Sequence, residues 1–125
     1  MHVEIKRVYE DSSPDDGTRV LVDRLWPRGE SKEAAHIDEW AKDIAPSTEL
    51  RQWFDHDPER FEEFARRYRA ELRENIDAID EILERIDLRK RVTLVYAARD
   101  TQCNHAVVLK SFLEQMNLRS DPLPQ

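Results

Sequence analysis

Apolar and polar residues alternate from the start of the chain: "VEIKRVY" (3–9) has the period of a half-buried strand. "EDSSPDDGT" (10–18) follows as turn chemistry, punctuated by Pro14 and Gly17. In "TRVLVDRL" (18–25), Val20, Leu21 and Val22 run together without a polar break. Such a run predicts a strand covered on both faces, hence a central one. "VTLVYAA" (92–98) has the same character.

Between these two strands the period changes to that of helices. "HIDEWAKDI" (36–44) reads as a short helix. "PSTELRQWF" (46–54) starts with Ser47 as a cap and Glu49 in the first turn, where a carboxylate complements the helix dipole. "DPERFEEFARRYRAELR" (57–73) has Asp57 as cap, Pro58 at the first helical position and one stripe of Phe61, Phe64, Tyr68 and Leu72. The stripe continues through Ile76, Ile79, Leu83 and Ile86. A single helix to Ile86 would be roughly 43 Å long at 1.5 Å per residue, too long for this chain. The reading therefore breaks it at Asn75, which can cap a second helix. A last helix from near Thr101 buries Ala106, Leu109, Phe112, Leu113 and Met116, and "SDPLPQ" reads as a frayed tail.

Strand, helices, strand, helix is α/β logic. The expected fold is one small α/β domain over 1–118, with 119–125 as a C-terminal tail. Its sheet would be short, mixed or parallel, of about three strands packed by several helices. The strands at 18–25 and 92–98 should be parallel and joined by a right-handed helical crossover. The direction of the first strand is left open.

In open sheets of this kind, ligands bind beyond the carboxyl ends of the parallel strands. Two segments leave those ends, "DRLWPRG" and "ARDTQCNHA". Arg24 and Arg28 would form a cationic lip, since arginine holds carboxylate or phosphate bidentately. Trp26 would line the same cleft, with Pro27 stiffening the loop and Gly29 letting it turn. Ser47 and Arg51 sit on helical inserts that could cover it. Asp100 and His105 are the candidates for proton transfer, and Asn104 for orienting a ligand. The bland alternative has Arg24 pairing with one of the chain's acids and Trp26 serving as core.

Other residues read as structural. Cys103 adjoins His105, but adjacent helical residues point in different directions, so it is not read as a nucleophile. His56 caps and packs, and Lys42 is a solvated charge. "SPDDG" is a turn rather than a metal loop. Trp40, Trp53, Phe54, Phe61, Phe64 and Tyr68 are core. With only Gly17 and Gly29 there is no P-loop and no GxGxxG, and HExxH, CxxC and GxSxG are also absent.

Composition narrows the classes. A net charge of −7 disfavours nonspecific binding to nucleic acid or acidic membrane. One cysteine allows no intrachain disulfide, which fits a reducing, cytoplasmic setting. No stretch is apolar and long enough to span a bilayer, and "MHVEIKRVYE" is strand rather than signal sequence.

Three long segments, "RVLVDRLWPRG", "KDIAPSTELRQWFDHDPERFEEFARRYRAEL" and "VTLVYAARDTQCNHAVVLKSFL", resemble the YeaO-like branch of domain-of-unknown-function family 488. The resemblance runs from Ile5 to about Leu118. It implies a compact α/β domain and no established activity. The family's motif positions fall on Asp23, Arg24, Trp26, Pro27, Arg28 and Gly29, then Pro46, Ser47, Glu49, Leu50 and Arg51. They continue on Trp53, His56, Arg67, Tyr68, Tyr96, Ala98, Asp100, Asn104 and Ala106. Cys103 is not among them.

The sequence thus points to a cytoplasmic protein that binds an anionic small molecule between the two loops, with catalysis left undecided. The alternative is a non-catalytic regulatory or protein-interaction module. A third reading, a structure-selective nucleic-acid protein using the arginine lip, is disfavoured by the charge. No metal-ligand residues are read from the sequence, and the cofactor and oligomeric state are left unknown.

Overall fold

The computed structural model describes residues 2–120, with side chains as far as Met116. Its strands are β1 (Val3–Arg7), β2 (Thr18–Leu21), β3 (Glu39–Trp40) and β4 (Val92–Tyr96). Its α-helices are α1 (Lys32–Ala35), α2 (Thr48–Phe54), α3 (Phe61–Glu74), α4 (Ile76–Arg85) and α5 (His105–Ser120). All strand pairs are parallel, in the order β1-β4-β2-β3. The two strands with continuous apolar runs, β2 and β4, are the central pair, and all of β4 is buried. The expected tail lies beyond the described residues from 121 onward.

Two departures from the sequence reading have clear causes. Residues 36–44 are not a helix. His36 adopts a left-handed conformation at the end of α1, and Asp38 Oδ2 accepts the Arg19 N–H at 2.8 Å. That bond draws Glu39 and Trp40 into register beside Val20 and Leu21, and only Lys42–Ile44 then coils, as a 3₁₀ turn. The second departure concerns β1, whose direction was open: it is parallel to β4, although it leads to β2 through residues 8–17 without an α-helix. Ten extended residues span roughly 33 Å, ample to return along a five-residue strand and cross two strand spacings.

That short connection is pinned where it ends. Gly17 has φ 66°, and the Thr18 N–H donates to Arg91 O at 2.8 Å. A Cβ on Gly17 would lie 2.1 Å from Arg91 O, so only glycine fits. Just before it, Asp16 is buried and accepts from the Ser13 N–H (3.0 Å), Lys6 Nζ (3.2 Å) and Arg19 Nη1 (2.7 Å). Arg19, 3% exposed, also donates to Ala35 O.

The sheet is covered on both sides. Val3, Val20, Val22, Leu94 and Tyr96 pack under the long helices against Phe64, Tyr68, Leu72, Ile79 and Leu109. Each large apolar side chain buried there contributes about 1.5–3 kcal/mol. On the other side Val8, Leu21, Ala35 and Val95 are capped by Trp26 and Ile37. The helix break expected at Asn75 is present, with α3 ending at Glu74 and α4 starting at Ile76. Asn75 does not cap with its side chain; Nδ2 donates instead to Asp43 O at 2.7 Å, tying the break to the 3₁₀ turn. The helix at 101 begins later than expected, at His105. At the open edge of the sheet, the Arg7 N–H donates to Glu10 Oε2 and the Glu10 N–H returns to Arg7 O.

Candidate functional site

At the carboxyl ends of the central strands the chain leaves β2 toward the Trp26 face and β4 toward the α5 face. The crevice between them is the place where doubly wound sheets hold ligands. Here Asp23 bridges it. Asp23 Oδ2 accepts the Ala97 N–H at 3.1 Å, and Oδ1 lies 2.9 Å from His105 Nε2. Both of the latter atoms are buried, but the contact lies off the hydrogen-bond direction, so neither has a well-directed partner. The sequence pattern alone does not mark Asp23 for chemistry. Its signal was its place as the polar residue directly after "VLV".

The structure sorts the chosen residues in ways the spacing did not foresee. Arg24 does not face Asp100. Its Nε and Nη2 donate to Pro46 O (3.3 Å) and Ala45 O (3.2 Å), fastening the segment before α2. The cause is the parallel edge strand: Ala41 N–H donates to Leu21 O, which brings the following 3₁₀ turn beside the end of β2. Ser47 lies in the same neighbourhood. It caps α2 by accepting the Leu50 N–H, and its own hydroxyl donates to Glu71 at 2.6 Å. Arg24, Ser47, Tyr68 and Glu71 border a groove of about 330 Å³ whose rim also carries Asp43 and Glu74. That surplus of carboxylates does not suit an anion. Arg51 is exposed on α2, without an ion pair among the described residues.

Arg28 goes the other way. Its side chain is exposed, while its carbonyl accepts from Tyr9 Oη at 3.2 Å. Tyr9 lies under the Arg7 guanidinium, which donates to Ala97 O and Ala98 O. Arg28 is thereby linked to the loop that carries Asp100, and Arg24 is not.

Asp100 and Asn104 are occupied locally. Asp100 Oδ1 accepts the Gln102 and Cys103 N–H groups at 2.8 Å each. The Cys103 and Gln102 bonds hold its carboxyl below the ordinary range, against the opposing effect of desolvation. A carboxylate so stabilised is a poor proton acceptor near neutrality. Asn104 is 1% exposed; Nδ2 donates to Asp100 O and Oδ1 accepts the Val107 N–H as the cap of α5. No hydrogen bond or ion pair joins Asp100 to His105. Burial and the nearby Asp100 push the Cys103 thiol up, away from nucleophilic use. Burial, with Glu10 nearby, likewise raises the Tyr96 phenol.

Two tryptophans read as core stand nearer the surface. Trp40 is 36% exposed on β3, its indole N–H donating to Asp23 O at 2.8 Å and its ring meeting Trp26 edge-on at 5.4 Å. Trp26 does cap a core cluster and donates to Glu30 O. Trp53 is half-buried between two guanidinium groups, Arg67 at 4.3 Å and Arg60 at 5.5 Å from the ring centre. Leu25 is 65% exposed, between Asp23 and Trp26, both of which touch Trp40. A larger cavity, about 730 Å³, lies at the opposite, amino edge of the sheet, between Asp15, Asp38, Glu39, Arg85, Lys90 and Arg91.

Residues 2–124 match the model of a family described as the inactive DUF488-N3 subclade. The chain belongs to that family. It is 50% identical to the uncharacterized protein Rv3073c of Mycobacterium tuberculosis over 111 residues, 89% of this chain and 92% of the relative. It is 41% identical to the uncharacterized protein YeaO of Escherichia coli over 116 residues, 93% of this chain and all of the relative. No solved structure matches the chain. Family membership thus agrees with the likeness noted in "RVLVDRLWPRG" and its companion segments. No helix among the described residues is long and apolar enough to cross a membrane.

Proposed function

We propose that this protein is a non-catalytic interaction module that presents the rim around "DRLWPRG" to a protein partner. One observation carries the reading: Arg24, Asp100 and Asn104 at the carboxyl edge are bonded inward while large apolar side chains are turned out. Arg24, Asp100 and Asn104 each hold backbone groups of their own neighbourhood. Leu25 and Trp40 are outward on the same rim, and Tyr9 is 45% exposed at its far end. Exposed aromatics and arginine are the side chains that dominate binding energy at interfaces. The family's description as an inactive subclade supports the absence of catalysis. A cytoplasmic location, from the single cysteine, belongs to the same proposal.

In-cell photo-crosslinking tests it. A photoreactive side chain at position 25 should yield one discrete adduct, and the same group at exposed position 88 should not. Absence of any adduct at position 25 would count against the module.

Anion binding is a second reading, favoured by the exposed Arg28 guanidinium, which has no ion pair among the described residues. Sulfate should then raise the melting temperature of wild type more than that of Arg28→Ala. Equal stabilisation of both would remove it.

A further inference from the structure

We propose that Asp23 and His105 form a proton-operated latch beneath the rim. With His105 protonated it holds the end of β2 and the Trp40 indole firmly; with the ring neutral it slackens. This rests on the interaction reading above and adds the regulation of that surface.

The contact is built so that a proton changes its strength. Asp23 Oδ1 and His105 Nε2 are 2.9 Å apart and buried, yet off the direction a hydrogen bond needs. With the ring neutral the contact gains little, because a hydrogen bond weakens steeply away from its axis. With the ring protonated the same contact becomes an ion pair. That attraction has no such angular demand, and at a buried place it is little screened. A ligand shifts an equilibrium only by favouring one state over the other, and for the proton that difference lies in this contact. Its route is open. Nε2 is the buried ring nitrogen, whereas Nδ1 makes no hydrogen bond among the described residues and is not closed off. The second proton thus arrives at Nδ1 from solvent while Nε2 keeps facing Asp23.

The latch reaches the rim through Asp23 itself. Its carbonyl accepts the Trp40 indole N–H at 2.8 Å, and Oδ2 accepts the Ala97 N–H at 3.1 Å. A carboxylate clamped at both oxygens fixes the backbone that carries Trp40; one held at Oδ2 alone leaves that backbone freer. The charged and titratable groups around the pair are Arg24 beside Asp23, Arg7 of β1 on the Ala97 carbonyl, Asp100 ahead of α5, and Glu71 and Tyr68 on α3. The positive end of the α5 dipole adds to them. Arginine keeps its charge at any working pH, and carboxylates and phenols ordinarily titrate well away from neutrality. Imidazole is the group that changes charge there.

The test follows ¹⁵N-labelled full-length protein, without any partner, by NMR from about pH 5 to pH 8, where imidazole ordinarily titrates. The Trp40 indole N–H and the Ala97 amide should shift with the same midpoint as the His105 ring. Both shifts should be lost in His105→Gln and in Asp23→Asn, which keeps an acceptor for Ala97. His2→Gln, at an exposed position, should leave them unchanged. A Trp40 indole that stays flat while His105 titrates would overturn the latch. So would an equal Trp40 shift in Asp23→Asn, or a His105 ring that does not titrate in this range. A flat Trp40 alongside a discrete crosslink at position 25 would overturn the regulation and leave the module standing. A coupled titration without any crosslink would support the latch and overturn the module.

Discussion

Asp23 and His105 face each other across the crevice between β2 and β4, with Oδ1 and Nε2 2.9 Å apart and both atoms buried. Asp23 also carries the Ala97 N–H, so one carboxylate joins the ends of both central strands to the first turn of α5. Asp23→Ala would leave the part-buried Ala97 amide without its acceptor and remove the carboxylate nearest the buried His105 Nε2. The expected loss is about 2–4 kcal/mol in urea unfolding. Asp23→Asn keeps an acceptor for Ala97 and should cost clearly less; equal losses would show that the pairing is unimportant.

The two arginines of "DRLWPRG" should behave oppositely. Arg24→Ala removes two bonds to the Ala45 and Pro46 carbonyls and should cost about 1–3 kcal/mol. Arg28→Ala removes an exposed side chain and should stay within about 0.5 kcal/mol of wild type. Chemical denaturation of the two variants side by side measures the difference.

Both glycines have positive φ, 66° at Gly17 and 79° at Gly29, but their surroundings differ. At Gly29 nothing lies within 4 Å of an added Cβ, so Gly29→Ala should cost only the conformational strain, about 1–2 kcal/mol. Gly17→Ala adds a collision with Arg91 O and should cost well over about 2 kcal/mol. Thermal melts of both variants check the order.

Acid should attack the Asp16 cluster. Burial alone would raise the Asp16 carboxyl, but the Ser13 N–H, Lys6 and Arg19 together hold it below its ordinary 3.8. The folded state thus binds the Asp16 proton less readily than the unfolded chain does. Its contribution is present above the ordinary value and is lost as pH falls through the lower folded one. Asp16→Asn should flatten the slope of stability against pH in that acid range and weaken the fold at neutral pH. An unchanged slope would assign the acid sensitivity to other carboxylates.

The elements that were readable from the sequence are those whose stability comes from their own periodicity. The stripe Phe64, Tyr68, Leu72 and the buried run of β4 appear where the spacing puts them, because each covers one continuous apolar surface. The edge strand β3 was not readable. Glu39 and Trp40 pair with β2 only because Asp38 catches the Arg19 amide, a contact across the chain that local pattern cannot carry. The site was half legible for the same reason. The loops after β2 and β4 do meet, yet the partners of Arg24 and His105 depend on where the 3₁₀ turn at Lys42–Ile44 and the end of β2 come to rest.

The reciprocal bonds between Arg7 and Glu10 bear on how the purified protein associates with its own copies. In β1, His2 O and the Val8 N–H bond toward β4, so by alternation the amides of Val3, Ile5 and Arg7 point away from the sheet. Glu10 occupies both groups of Arg7, which shortens the stretch able to template a foreign strand to Val3 and Ile5. An antiparallel copy registered on those two residues would set Glu4 against its own counterpart, a like-charge pair. The open edge is thus stoppered at one end and self-repelling in the middle, a safeguard against fibril growth that Glu10→Ala and Glu4→Gln together would dismantle.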